Sequence, residues 1–160
     1  MKKCKLLITD LDGTLIETVS GDTFPKGIWD MKLKLYVFEA IKNYAPDDIL
    51  IISNQGGIEK GFVDKEMFEY KFDYISSALE DYTNISVYNF YCDNNDKDNI
   101  NREPNTGMID QYMDYIKFIN DNVDEENKII YDTIMMIGDA SGKEGQFSDS
   151  DKKTAENFGG

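Results

Sequence analysis

The chain has 160 residues, 41% of them hydrophobic, which is enough apolar material for one core without disulfides or a structural metal. It contains no histidine and two cysteines, Cys4 and Cys92, which excludes a Ser-His-Asp triad, a Cys-His pair, a zinc cluster and a disulfide framework. The formal net charge of −14 counts against binding of polyanions by the whole surface, but leaves room for a local basic groove or a metal-reversed site.

Lys5-Leu6-Leu7-Ile8-Thr9 is too short for a signal peptide and ends in aspartate, so it reads as a buried strand. The apolar runs fall short of a membrane span, and a cytoplasmic location with reduced thiols is expected. Leu33, Val37 and Ile41 form a helical stripe over Met31–Tyr44, which Pro46 stops. Ile49–Ser53 is a second apolar strand, ending at Asn54-Gln55-Gly56-Gly57. Phe68, Phe72, Ile75, Leu79 and Tyr82 lie at helical spacing over Lys65–Tyr82. Ile85–Cys92, rich in β-branched and aromatic residues, reads as a third strand. Pro104 precedes a helix over about 105–122, Thr133–Ile137 is a fourth strand, and Ser148 caps a last helix to Asn157.

Alternating strands and helices predict a three-layer, Rossmann-like α/β fold over residues 1–160, with a parallel sheet between helices. Ligands of such sheets bind beyond the carboxyl ends of the strands. Asp10, Ser53-Asn54 and Gly138-Asp139 each follow an apolar strand, so one sheet edge gathers them.

Asp10-Leu11-Asp12-Gly13-Thr14 puts two carboxylates at positions i and i+2 of an extended segment, where they point the same way. Such a pair divides phosphoryl transfer: Asp10 attacks phosphorus, and Asp12 protonates the leaving oxygen and later activates water. A carboxylate approaching a phosphate dianion needs a hard divalent cation, which points to Mg²⁺ held by Asp10, Asp12 (through its carbonyl) and Asp139. Ser53, with backbone N–H groups around Asn54, is expected to hold phosphoryl oxygens.

These residues resemble the haloacid dehalogenase (HAD) superfamily: DxDGT at Asp10–Thr14, Ser53 after a strand, and Gly138-Asp139. Ser53-Asn54-Gln55-Gly56-Gly57-Ile58 is similar to the TNQxGI segment of the polynucleotide kinase–phosphatase branch. Arg102-Glu103-Pro104-Asn105-Thr106-Gly107-Met108 resembles its RKPxxGM, and Gly138–Lys143 its GDAAGR. Phe147–Asp151 with Ala155–Gly159 resembles its FSxxD…AxNxG tail. The resemblance implies a HAD-type sheet without a large cap, a loop-and-flap over about Leu15–Trp29, and removal of 3′-phosphate from DNA or RNA ends. No kinase P-loop is present, so any kinase or ligase is expected to be a separate partner.

Glu103 stands where that branch has its catalytic lysine, and an acidic side chain repels phosphate. Arg102, Lys60 and Lys143 are the cations expected to replace it, joining Thr14 and Asn54 in holding the substrate. Two other readings stand beside the nucleic-acid one. The first is a small-molecule phosphatase of the histidinol-phosphate or heptose-bisphosphate type. The second is a degenerate domain that binds phosphorylated ends without turnover, supported by Glu103 alone.

Overall fold

A computed structural model describes residues 1–94, 96, 98–101 and 106–138. The expected strand at Lys5–Thr9 forms β1, Lys2–Asp10. A short hairpin follows, β2 (Ile16–Glu17) against β3 (Lys32–Leu33). Then come α1 (Leu35–Tyr44), β4 (Asp48–Asn54), a single turn α2 (Gly56–Glu59), α3 (Lys65–Thr83) and β5 (Ser86–Cys92). The chain continues through α4 (Gly107–Asp121) and a 3-10 turn at Glu125–Asn127 to β6, Ile129–Ile137. The helix expected to end at Asn157 lies outside the described residues.

The main sheet has the order β5-β4-β1-β6, with every neighbouring pair parallel. Alternation along the strands divides their side chains between two faces. Leu7, Ile49 and Ile51 pack with Phe38 and Ile41 of α1 and Phe68, Phe72 and Ile75 of α3. Leu6, Ile8, Leu50 and Ile52 pack with Met108, Ile109, Tyr112 and Ile116 of α4. Strands buried on both faces read as continuous apolar runs, which is why β1 and β4 were legible.

Two boundaries differ from expectation. The first helix starts at Leu35 rather than Met31, because Lys32 and Leu33 pair with Glu17 and Ile16 and the Lys34 N–H bonds the Leu15 carbonyl. Those backbone groups serve the hairpin and are lost to the helix. The last strand starts at Ile129 rather than Thr133: it follows β1 from Lys2 onward, with a register shift at Cys4/Lys5. That irregularity breaks the period on which a strand is recognised.

The amino edge of the sheet is tied by a hydrogen-bond chain. The Tyr131 hydroxyl donates to Asp48 Oδ2 at 2.6 Å and lies 2.6 Å from the Tyr112 hydroxyl, which donates to it. Burial pushes both phenols well above the ordinary tyrosine range, so both keep their protons. Cys4 and Cys92 are buried free thiols, and burial pushes the Cys4 thiol up. No helix among the described residues is long and apolar enough to cross a membrane.

Candidate active site

The carboxyl edge of the sheet brings together Asp10, Ser53 and Gly138. Asp10 closes β1 and is level with Ile52 of β4, one residue before Ser53. On the other side Thr9 is level with Ile137, so Gly138 follows beside Asp10. Asp139, the expected third carboxylate, lies outside the described residues, as do Arg102, Glu103 and Lys143.

Beyond Asp10 the chain turns tightly. The Leu11 carbonyl accepts from the N–H groups of Thr14 and Leu15, and Gly13 N–H bonds the Ile16 carbonyl at 2.8 Å. Gly13 has φ +80°, a left-handed conformation that a side chain disfavours. Leu11 is fully buried in the core on the α1/α3 side. It therefore anchors the turn between two half-buried carboxylates, Asp10 and Asp12. The Thr14 hydroxyl is buried and, among the described residues, is the one buried side-chain polar atom without a hydrogen-bond partner.

Ser53 is buried at the end of β4. Gln55, which the sequence reading passed over, joins the two motifs. Its Nε2 donates to Asp12 Oδ2 at 2.7 Å and to Ser53 Oγ at 2.8 Å. A side-chain amide has two hydrogens on one nitrogen, so Gln55 satisfies both acceptors at once. Its backbone N–H is committed to the Cys92 carbonyl at 2.7 Å, so that amide is not among those free to hold phosphate. Lys60, the C-cap of α2, is exposed. Lys34, also unforeseen, donates from Nζ to the Gly13 carbonyl at 2.7 Å and braces the turn.

We expect Gln55→Ala to lower kcat by roughly tenfold to a hundredfold, the worth of a hydrogen bond to a charged group. KM should move little, because the bond orients Asp12 rather than binding substrate. Gln55→Glu, which keeps the shape and loses the donor, should fall at least as far. Steady-state kinetics decide it, and a change confined to KM would sink the orienting role.

The β2–β3 hairpin forms a flap beside this edge; the expected loop-and-flap over about Leu15–Trp29 did not include its pairing with Lys32-Leu33, and Asp30 organises the loop between the two strands. The Asp30 carboxylate is 1% exposed and accepts from Ser20 N–H (2.8 Å), Ser20 Oγ–H (2.7 Å) and Lys26 N–H (2.9 Å). These donors, the Ser20 hydroxyl foremost, hold its carboxyl down at about 2. Because the folded pKa lies below the unfolded one, the carboxylate's contribution is present above about pH 4 and is lost as pH falls towards 2. Asp30→Asn should therefore loosen the flap at neutral pH, read as faster amide exchange over 18–31. Unchanged protection there would remove Asp30 from this role.

Between the flap and the strand ends lies a cavity of about 270 Å³, lined among others by Asp12, Gly13, Glu17, Asp30 and Lys71. Sequence reasoning missed Lys71. Its signal was present, since Lys71 interrupts the apolar stripe of α3 three residues after Phe68 and four before Ile75.

Asp10 and Asp12 are hard oxygen donors at one turn, which is the donor chemistry that Mg²⁺ takes. Among the described residues no three carboxylate, cysteine or histidine side chains converge. A full ligand set would need water or donors from outside the described residues.

Comparison with known proteins agrees with this frame. Residues 5–159 match the family model described as polynucleotide kinase 3 phosphatase. The bifunctional polynucleotide phosphatase/kinase of Schizosaccharomyces pombe is 33% identical over 99% of the chain, which spans 36% of that protein's length. A probable D-glycero-D-manno-heptose-1,7-bisphosphate 7-phosphatase of Thermoplasma volcanium is 23% identical over 90% of the chain and 91% of that protein. Among solved structures, a HAD-like phosphatase from Mesorhizobium loti superposes with a TM-score of 0.66 at 18% identity, over 98% of this chain and 69% of that one. The D,D-heptose 1,7-bisphosphate phosphatase of B. bronchiseptica, crystallised with magnesium and phosphate, gives 0.52 at 23% identity, over 75% and 65%. The parallel sheet, the acid pair at the end of β1 and a family match over nearly the whole length agree: the chain belongs to the polynucleotide kinase 3 phosphatase family.

Proposed function

We propose that residues 1–160 act as one Mg²⁺-dependent phosphomonoesterase domain that removes 3′-phosphate from DNA or RNA ends through an aspartyl phosphate on Asp10. The observation that carries this reading is the junction at the carboxyl edge, where Gln55 ties Asp12 to Ser53 beside Asp10 in a chain of this family.

The chemistry follows from the residues. Asp10 attacks phosphorus in line with the leaving oxygen, and Asp12 gives that oxygen a proton. Asp12 then takes a proton from the water that hydrolyses the acyl phosphate, which restores both carboxyl groups. Ser53 offers a hydroxyl to a phosphoryl oxygen. Gln55 holds Asp12 Oδ2, leaving the other oxygen for the proton transfer. Asp10, Asp12 (through its carbonyl) and Asp139 would hold Mg²⁺, which when bound would neutralise charge between carboxylate and phosphate. Thr14, Asn54, Lys60, Arg102 and Lys143 remain proposed phosphate contacts.

A second reading, a sugar-phosphate phosphatase, is favoured by the likeness to the heptose-bisphosphate enzyme over 90% of the chain. The test offers the protein, with Mg²⁺, a 3′-phosphorylated oligonucleotide and a panel of sugar and amino-alcohol phosphates. Release from the oligonucleotide is the expected result. Release only from the small esters would replace the first reading with the second, and a folded protein inert on all would make it a binding domain. The S. pombe relative carries phosphatase and kinase in its name, so a separate kinase acting on the same ends fits this proposal.

A further inference from the structure

Lys71 lies mid-way along α3, within the apolar stripe. It is 9% exposed, yet no hydrogen bond or ion pair joins it to another described residue. Because the Thr14 hydroxyl is the one buried side-chain polar atom without a partner among the described residues, the unpaired Lys71 ammonium still reaches solvent while its stem covers apolar surface. Lys71 also lines the cavity beneath the flap, so the stem is buried and its small exposed part faces that cavity.

Among the described lining residues Lys71 is the single cation, facing four acids. Each acid is committed elsewhere. Glu17 pairs with Lys32 at 3.3 Å and Asp22 with Lys26 at 3.5 Å. Asp30 accepts the flap's own donors, and Asp12 accepts from Gln55. A cation left uncommitted among engaged carboxylates is available to an anionic ligand.

The position says which anion. Asp12 lines this cavity, and in the proposed function, on which this inference rests, Asp12 protonates the leaving oxygen. The cavity therefore receives the leaving alcohol rather than the transferred phosphoryl group. We infer that Lys71 binds a second phosphate carried by the leaving alcohol. The substrate class is then a phosphomonoester with another phosphate near by: the next phosphodiester of a polynucleotide end, or the other phosphate of a small bisphosphate.

The test compares thymidine 3′-monophosphate, thymidine 3′,5′-bisphosphate and a 3′-phosphorylated oligothymidylate, in wild type and Lys71→Met. Methionine keeps an apolar stem and removes the charge. In wild type the second phosphate should raise kcat/KM by roughly tenfold to a hundredfold, the range for a charged contact. Lys71→Met should reduce that preference to within about twofold, and Lys71→Arg should keep most of it. A preference confined to the bisphosphate marks a small metabolite, and one confined to the oligonucleotide marks a polymer end. A preference undiminished in Lys71→Met, or absent from wild type, overturns the inference. Should Lys71→Met fail to fold, Lys71→Gln replaces it with the same expectations. If wild type hydrolyses none of the three, the phosphatase reading fails. Calorimetric binding of the bisphosphate then decides Lys71 separately. Binding weakened at least tenfold in the variant supports the site, and equal or undetectable binding removes it.

Discussion

Asp10→Asn should abolish turnover, lowering kcat by on the order of 10⁴ or more, while the protein still folds and binds product phosphate. The amide has the shape of the carboxylate but cannot attack phosphorus. Its place in the fold is set by neighbours that the substitution leaves intact. Asp10 ends β1 level with Ile52, and Leu11 beside it is buried in the core. The loss should therefore lie in chemistry rather than stability. Two measurements check it. The first is steady-state hydrolysis of a 3′-phosphorylated oligonucleotide. The second is acid quenching with labelled substrate, which should trap phosphate on the wild type and none on the variant. A variant that keeps a tenth of the activity, or that still traps label, would refute the covalent role of Asp10.

Removing Asp12 should be nearly as severe, and in a way that depends on the leaving group. General acid catalysis contributes roughly 10²–10⁴-fold, so Asp12→Ala should cost about that much on a nucleoside 3′-phosphate. An alkoxide leaves poorly without a proton. p-Nitrophenolate leaves readily as an anion, so the same variant should lose much less on p-nitrophenyl phosphate. A merely structural loss would lower both substrates alike, and equal losses would show that Asp12 does not supply the proton. The variant also frees Gln55 from one acceptor while its bond to Ser53 remains, so the strand end should keep its form. Comparison with Gln55→Ala then measures how much of Asp12's effect depends on its orientation.

What could be read from sequence was whatever one segment declares by itself. β1 and β4 are buried on both faces and so appear as unbroken apolar runs. The DxDGT segment carries its acids, its glycine and its threonine within five residues. The α3 stripe is evident because its core contacts repeat at the helical period. The hairpin was not evident. Its strands are two residues each, and Lys32-Leu33 had been absorbed into a helical pattern. Two-residue strands have no period to detect, and their pairing is decided by partners on the far side of the loop, Ile16 with Leu33 and Glu17 with Lys32.

The same distinction applies at the site. The absence of histidine determined by itself that any acid–base work here falls to carboxylates, lysines, tyrosines or bound water, and the apolar strands before Asp10 and Ser53 put those two residues at one sheet edge. They could not show what closes that edge. Gln55 reaches 43 positions back to Asp12, Lys34 reaches 21 positions back to Gly13, and Asp30 gathers the donors of its own loop. Lys71 comes to share a cavity with Asp12 because residues of α3 and of the flap line the same hollow. Strand identity and acid chemistry are local properties of the chain. The partner of each polar group, and the charge left without one, depend on which segments the packed core brings together, and that is decided only by the tertiary structure.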